Sequence, residues 1–165
     1  MQESPSSIHQ FQAKLTNGED KQLSDYRGKV LLIVNIASAC GFTPQLKELQ
    51  ELKDSLDPEV FEVLGFPSND FGSQEPLNGM AIHNFCEINH GVRFPVFAKT
   101  MVKGANANPI FKYLGNKKLN GNIQSIPRWN FHKYLINKNG QVVDYFFPFT
   151  KPTSSKLKKK IQHLL

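Results

Sequence analysis

Cysteine and tryptophan are scarce in this 165-residue chain, which has two cysteines and one tryptophan. Two cysteines are too few for the disulfide framework of a small secreted domain, and no His/Cys cluster gives them the spacing of a zinc site. No apolar run approaches the ~20 residues of a membrane-spanning helix. The N-terminal segment MQESPSSIHQFQ also lacks the basic and apolar parts of a secretory signal. We therefore expect a cytoplasmic protein without stable membrane association, in which any role of the cysteines is chemical.

The charge is basic, with a formal net charge of +6. Lysines are scattered along the chain except in the C-terminal segment KLKKKIQHLL, where Leu157, Ile161 and Leu164 recur at helical spacing. This pattern predicts an amphipathic helix whose lysines face solvent. It favours a solvated helix face over a nucleic-acid site.

A strand, a helix and a second strand are predicted in the first half of the chain. The segment VLLIVNIA, residues 30–37, is a continuous apolar run of strand length, typical of a strand buried on both faces. Thr43 is expected to cap the following helix, with Pro44 at its first position. The segment VFEVLGFP, residues 60–67, is the second strand. This order predicts a right-handed βαβ unit with parallel strands.

Turn-forming dipeptides mark two hairpins, one at each end of the chain. Asn17-Gly18 divides an alternating N-terminal segment, and Asn139-Gly140 joins two β-rich runs within residues 129–147. Helices are predicted at residues 80–90 and 109–114. Because no linker-like stretch or repeat divides the chain, residues 1–165 are interpreted as one α/β domain with a central mixed sheet flanked by helices.

Cys40 lies at the turn between the first buried strand and the predicted helix. A thiol there meets unpaired backbone N–H groups and the positive end of the helix dipole, which favour the nucleophilic thiolate. Burial as a small apolar side chain explains the position equally well. The local sequence CGFT resembles the thioredoxin-like Cys-x-x-Cys turn with Thr43 in place of the second cysteine. Any disulfide of Cys40 therefore needs a thiol from elsewhere, and within the chain only Cys86 is available.

Three long segments resemble those of a known family in order and spacing: NIASACGFTPQLKELQEL, FPSNDFGSQEP and WNFHKYLINKNGQVV. By this resemblance the chain is identified as a member of the glutathione peroxidase family. The resemblance implies a thioredoxin-like fold, with Cys40 as the thiol that attacks peroxide and Gln74, Trp129 and Asn130 completing the catalytic set. Amide and indole donors at these positions would stabilise negative charge on the sulfur and on the leaving oxygen.

Cys86 lies in the segment IHNFCEINHGVRFP, which resembles the segment that carries the resolving cysteine of the thioredoxin-dependent branch. The resemblance implies that the Cys40 sulfenic acid condenses with Cys86 and that thioredoxin reduces the resulting disulfide. It also implies that the helix at residues 80–91 unwinds locally and has low local stability. A helix cysteine packed beside Phe85 and Ile82 is the alternative interpretation.

Ser68, Asp70, His132 and Asn137 differ from residue types common in the family. Ser68 stands where many relatives have a further cysteine, Asp70 stands where glutamine is common, and His132 is interpreted as a surface-edge side chain rather than a second base. The chain also lacks the long insertion that tetrameric members use for assembly. We therefore expect a monomer, and the resemblance implies no metal and no bound organic cofactor.

The resulting expectation is a thiol peroxidase that reduces hydrogen peroxide and organic or lipid hydroperoxides, with thioredoxin as reductant. Glutathione as direct reductant is one alternative. A peroxide sensor that relays oxidation from Cys40 to a partner protein is another. A nucleic-acid-binding module is a distant third interpretation, since it rests on the basic charge alone.

Overall fold

The computed structural model describes residues 7–165. The strands are β1 (Gln12–Lys14), β2 (Asp20–Gln22), β3 (Val30–Ile36), β4 (Phe61–Pro67), β5 (Lys133–Ile136) and β6 (Val142–Phe146). The helices are α1 (Gln45–Asp54), α2 (Met80–His90), α3 (Pro109–Gly115), α4 (Lys117–Asn120) and α5 (Ser155–Leu164), with 3₁₀ turns at Ile8–Gln10 and Leu23–Tyr26. Residues 1–6 lie outside the described residues. They belong to the N-terminal segment for which the sequence predicts no secretory signal.

The central sheet has four strands in the order β4-β3-β5-β6. β3 and β4 run parallel in register from Val30 opposite Phe61 to Ile36 opposite Pro67, whereas β5 is antiparallel to both β3 and β6. The predicted βαβ unit and mixed sheet are therefore confirmed. β3 is paired on both edges and all seven of its residues are buried, which explains why its sequence is apolar except at Asn35.

Two apolar layers cover the sheet, one on each face. One contains alternate residues of β3 together with α1, Cys86 of α2, and α5. The other contains Leu31 and Ile33 of β3 together with α3 and the segment that ends at Tyr26. Both cysteines belong to the first layer, so the sheet face that they share also carries α1 and α5.

Both predicted hairpins form. β1 and β2 pair around Gly18, whose φ of 89° needs a residue without a side chain. The β5–β6 turn places Gly140 so close to the N-terminal segment that a Cβ there would lie 2.4 Å from Ser7 Oγ. The run that begins at Trp129 becomes a strand only at Lys133, so residues 129–132 form a turn that precedes the hairpin.

The C-terminal helix α5 is amphipathic, as its spacing predicts. Leu157 and Ile161 are buried, and the helix begins with a hydrogen bond from Leu157 N–H to the Ser154 hydroxyl. Its four lysines are exposed. None of the helices in residues 7–165 has the length and apolar character that a bilayer-spanning helix requires.

One predicted helix start is wrong. α1 begins at Gln45, after Pro44, and no side chain caps it. The Thr43 hydroxyl instead accepts a hydrogen bond from Cys40 N–H at 2.8 Å and donates one to the Ala37 carbonyl at 2.8 Å. The threonine therefore closes the loop that follows β3, because two backbone groups within the loop compete successfully for its hydroxyl.

Candidate active site

Cys40 lies in the loop between β3 and α1, at the carboxyl end of the central strand. Its side chain is 7% exposed, and the Phe42 N–H lies 3.4 Å from Sγ in a geometry that donates to the sulfur. Since α1 starts only at Gln45, this loop N–H is the donor seen at the sulfur, rather than the helix terminus expected from the sequence. The thiol is thus nearly covered but lies at the edge of the apolar layer.

Gln74 lies in the loop after β4, the strand parallel to β3. The Gln74 carbonyl accepts a hydrogen bond from Ala39 N–H at 2.9 Å, which joins this loop to the residue before Cys40. Gly72 and Ser73 have φ values of 63° and 51°, in the left-handed region. A non-glycine residue in that region is strained, and such strain is concentrated at functional sites.

Trp129 and Asn130 come from the turn before β5 and meet the Gln74 loop. The fully buried Asn130 side chain donates through Nδ2 to Gln74 Oε1 at 3.0 Å. A Cβ at Gly72 would lie 3.2 Å from Trp129 Cη2, a tight contact, so the close approach of the indole, together with the φ of 63°, favours glycine at this position. The structure therefore brings together Gln74, Trp129 and Asn130, three of the residues selected from the sequence, and bonds their cluster to the Cys40 loop.

Asn35 supports the Trp129–Asn130 turn and was not identified from the sequence. This fully buried residue of β3 donates through Nδ2 to the Trp129 carbonyl at 3.0 Å, and its own carbonyl accepts from Phe131 N–H at 2.6 Å. A polar residue inside the apolar run VLLIVNIA was the available signal. Buried amides need partners, so such a residue indicates a specific hydrogen-bonded neighbour.

Glu75, a buried carboxylate beside the site, was also not identified from the sequence. It is 1% exposed, and the Ser38 hydroxyl donates to its carboxylate. Burial raises the pKa of Glu75, while the bond from Ser38, backbone N–H groups and the Lys99 ammonium oppose that rise. Glu75 thus links the Gln74 loop to the residues that lead into Cys40.

Cys86 lies on α2 and is 2% exposed. Burial, and secondarily the negative charge of Glu75, raise the pKa of the Cys86 thiol to about 12. Both cysteines are free thiols. Of the eleven residues of α2, only Ile82 and Cys86 are buried, so this helix is attached to the apolar layer by few side chains.

The structure shows the surroundings of two further residues considered in the sequence analysis, Asp70 and His132. The Asp70 carboxylate accepts hydrogen bonds from the backbone N–H groups of Val102 and Lys103, at 2.6 and 3.3 Å, and so fastens a neighbouring loop. The interpretation of His132 as a surface-edge side chain is wrong. His132 is 1% exposed, its Nε2 lies 3.0 Å from Ser125 Oγ, and burial, with a smaller effect of the Lys133 charge, lowers its pKa to about 4.

An apolar surface adjoins the Cys40 loop. Phe42 contacts Phe149 edge to face, with ring centroids 5.7 Å apart, and Phe149 is 82% exposed. Trp129, of the neighbouring turn, is also partly exposed. Large exposed aromatic side chains beside a reactive group favour binding of an apolar ligand. In residues 7–165, no three His, Cys, Asp or Glu side chains are grouped so that they could hold a metal ion.

Comparison with known sequences gives a consistent result. The family model described as glutathione peroxidase matches residues 8–115. The glutathione peroxidase homolog BsaA of Halalkalibacterium halodurans is 50% identical over 159 residues, which cover 96% of this chain and 99% of the relative. Glutathione peroxidase-like peroxiredoxin 2 of Saccharomyces cerevisiae is 44% identical, with coverages of 96% and 97%. Hydroperoxy fatty acid reductase gpx1 of Synechocystis is 45% identical over 152 residues, with coverages of 88% and 89%.

Comparison with solved structures concerns the fold. The crystal structure of Trgpx in apo form superposes with a TM-score of 0.73 at 36% identity, covering 96% of this chain and 95% of the other. A thioredoxin-like superfamily protein superposes with a TM-score of 0.64 at 16% identity, covering 93% and 94%. The second likeness bears on the fold alone. The predicted thioredoxin-like α/β fold with an N-terminal hairpin is confirmed.

Proposed function

The chain belongs to the glutathione peroxidase family and is a peroxidase of that kind, and from this premise we propose that Cys40 reduces the peroxide and that Cys86 restores Cys40 through a disulfide. The observation that carries the proposal is the convergence of three loops. Ala39, next to Cys40, is bonded to the Gln74 backbone, and the Gln74 side chain is bonded to Asn130. In this proposal the site lies at the carboxyl end of β3, where the Cys40 loop meets the Gln74 loop and, through Gln74, the Trp129–Asn130 turn.

In the first step the Cys40 thiolate attacks one peroxide oxygen and the O–O bond breaks. The sulfur is oxidised by two electrons to a sulfenic acid, and the other oxygen leaves as hydroxide or alkoxide and takes up a proton. Negative charge therefore moves from sulfur to oxygen. Hydrogen-bond donors fixed along that path lower the barrier because they need no reorganisation during the reaction.

The donors have separate roles in this proposal. The Phe42 N–H stabilises the thiolate, and it is already directed at Sγ. Asn130 uses an N–H to hold Gln74 Oε1, which leaves the Gln74 amide N–H groups to face the reacting oxygens. The indole N–H of Trp129 is the other donor for the leaving oxygen. Asn130 is thus assigned to orientation of Gln74, and Gln74 and Trp129 to contact with the peroxide.

In the second step the Cys86 sulfur attacks the sulfenic sulfur, an S–S bond forms, and hydroxide leaves as water after protonation. Cys86 is buried as a neutral thiol in α2, so this step requires local unwinding that releases it. The burial of only two α2 side chains supports low local stability. A thioredoxin dithiol then reduces the disulfide.

The substrate range is proposed to include organic and fatty acid hydroperoxides. The exposed Phe149, held against Phe42, offers an apolar surface for an acyl chain next to Cys40, and one relative is named a hydroperoxy fatty acid reductase. Phe149→Ser is expected to lower kcat/KM for a fatty acid hydroperoxide relative to that for hydrogen peroxide. Leu119→Ser, another exposed apolar residue on α4, is the control. An unchanged ratio in Phe149→Ser would exclude this surface from substrate binding.

The experiment that tests the mechanism is stopped-flow reduction of peroxide, followed by intact mass under non-reducing conditions. Cys40→Ser is expected to abolish the reaction. Cys86→Ser is expected to react once and then stop as a sulfenic or over-oxidised acid. Normal recycling of Cys86→Ser with thioredoxin would refute its resolving role.

The reductant is tested separately, by sustained NADPH consumption with thioredoxin and thioredoxin reductase compared with glutathione and its reductase. Faster turnover with thioredoxin is expected. A mixed disulfide with a partner protein and negligible turnover with either reductant would favour the sensor alternative. We further propose that the chain acts in the cytoplasm as a monomer of one domain. The central four-stranded sheet, with an apolar layer on each face, supports the single domain.

A further inference from the structure

Lys133, the first residue of β5, is a lysine without any exposed surface. Its Nζ donates to the Phe131 carbonyl at 2.8 Å and lies 3.5 Å from the Pro148 carbonyl. Burial lowers the pKa of Lys133 to about 7, and the Glu48 carboxylate of α1 opposes this shift. Burying an ammonium is unfavourable unless the group makes specific hydrogen bonds. The role of Lys133 therefore depends on the two carbonyls that its ammonium contacts.

Phe131, one of those partners, has a strained backbone. Its φ is 69°, and it shares a left-handed conformation with Ser73 alone among the non-glycine residues of the described chain. Ser73 precedes Gln74, and Phe131 follows Asn130. A phenylalanine holds this conformation only when its surroundings impose it. Each strained residue thus adjoins a residue of the proposed catalytic set.

The peptide groups of this turn are held from two sides. Asn35 accepts from Phe131 N–H and donates to the Trp129 carbonyl. Lys133 supplies a third contact, to the Phe131 carbonyl. Loss of this bond would leave a buried carbonyl without that donor next to a strained residue, and the turn could relax toward an ordinary φ.

The second partner of Lys133 connects the turn to the Cys40 side of the site. The Pro148 carbonyl also accepts from Gln45 Nε2 at 2.7 Å. Gln45 begins α1, directly after the Cys40 loop, and Phe149 contacts Phe42 of that loop. The ammonium therefore lies between the Trp129–Asn130 turn and the segment that packs on the Cys40 loop.

We propose that Lys133 is a positioning residue for the peroxidase reaction, whose ammonium holds the Phe131 carbonyl and so fixes Trp129 and Asn130 against Gln74. This inference rests on the proposed roles of Trp129 and Asn130. Lys133 itself does not contact the peroxide. It acts through the backbone of the turn.

The test uses the reduced full-length protein and compares wild type with Lys133→Met and Lys133→Arg. Trp129 is the sole tryptophan, so its emission and its quenching by acrylamide report directly on the turn. Lys133→Met is expected to shift both readouts toward greater exposure. It is also expected to slow single-turnover oxidation of Cys40 on the order of tenfold to a hundredfold, the range caused by small misplacement of catalytic groups. Lys133→Arg, which keeps a buried cation with N–H donors, is expected to recover part of the wild-type fluorescence and part of the wild-type oxidation rate.

The control is Lys53→Met. Lys53 pairs with Glu62 at the end of α1 and is also mostly covered, but it lies outside the three loops of the site. The rate of Cys40 oxidation and the Trp129 emission of Lys53→Met are expected to match those of wild type. A purely structural role of Lys133 would change the unfolding midpoint and leave the emission and rate of the folded protein unaltered.

Wild-type emission and rate in folded Lys133→Met would therefore overturn the inference, as would failure of Lys133→Arg to recover either property. If Lys133→Met does not fold, Lys133→Gln, whose amide is too short to replace the ammonium, is judged by the same readouts. Trp129→Phe and Asn130→Ala separate the two proposals. Unchanged rates in both would refute the proposed catalytic set, whereas the Trp129 emission of Lys133→Met would still decide whether the ammonium positions the turn.

Discussion

The buried ammonium of Lys133 makes the stability of the fold depend on pH in a way that can be measured. Burial lowers the pKa of Lys133 from 10.5 to about 7. Between these two values the unfolded chain holds a proton that the folded protein has released. The free energy of unfolding therefore rises with pH across this window, and the cost of the buried charge is largest below it.

The size of the effect follows from the two pKa values. A tenfold difference in proton affinity corresponds to about 1.4 kcal/mol, so the fully protonated ammonium costs the folded state about 5 kcal/mol. Between about pH 7 and about pH 9, about 2 kcal/mol of that cost is relieved. The window also lies above the pH at which His132 titrates in either state.

The assay is urea unfolding of reduced wild type and Lys133→Met at about pH 7 and about pH 9. Because methionine does not titrate, the difference in unfolding free energy, wild type minus variant, is expected to rise by about 2 kcal/mol between these values. Changes in Cys86 ionisation affect both proteins and cancel. Val34→Ala, at the β3 position opposite Lys133, is the control, since a cavity changes stability by the same amount at both pH values. A wild-type-minus-variant difference that stays constant within about 0.5 kcal/mol would refute the reasoning.

Three more outcomes are expected. Since burial lowers the pKa of His132 from 6.5 to about 4, wild type should lose about 3 kcal/mol of stability as pH falls between these values; an equal loss in His132→Gln would contradict this. Thr43→Val leaves Cys40 N–H and the Ala37 carbonyl without their shared partner and should cost about 3 kcal/mol by urea unfolding, with slower oxidation of Cys40; a cost under about 0.5 kcal/mol would show that the hydroxyl is dispensable. Amide hydrogens of α2 should exchange at least about tenfold faster than those of β3, and equal protection would argue against release of Cys86 by local unwinding.

Regular patterns in the sequence determined most of the secondary structure. The apolar run of β3, the turn dipeptides Asn17-Gly18 and Asn139-Gly140, and the spacing in α5 each gave the correct element. Those predictions succeed because period and turn chemistry are local properties. The start of α1 was wrong because Thr43 had two possible uses, and only the folded loop shows which backbone groups lie within its reach.

The sequence by itself determined the family, the fold and the identity of the residues proposed to carry the chemistry, since these are written in long contiguous segments. Only the tertiary structure decided that Asn130 holds Gln74, that Asn35 holds the turn beside it, that Glu75 is bonded to Ser38, and that Lys133 and His132 are buried. Each of these facts depends on contacts between segments far apart in the chain. Such contacts form where loops meet at one end of a sheet, and no local pattern of residues encodes where a polar side chain will find its partner there.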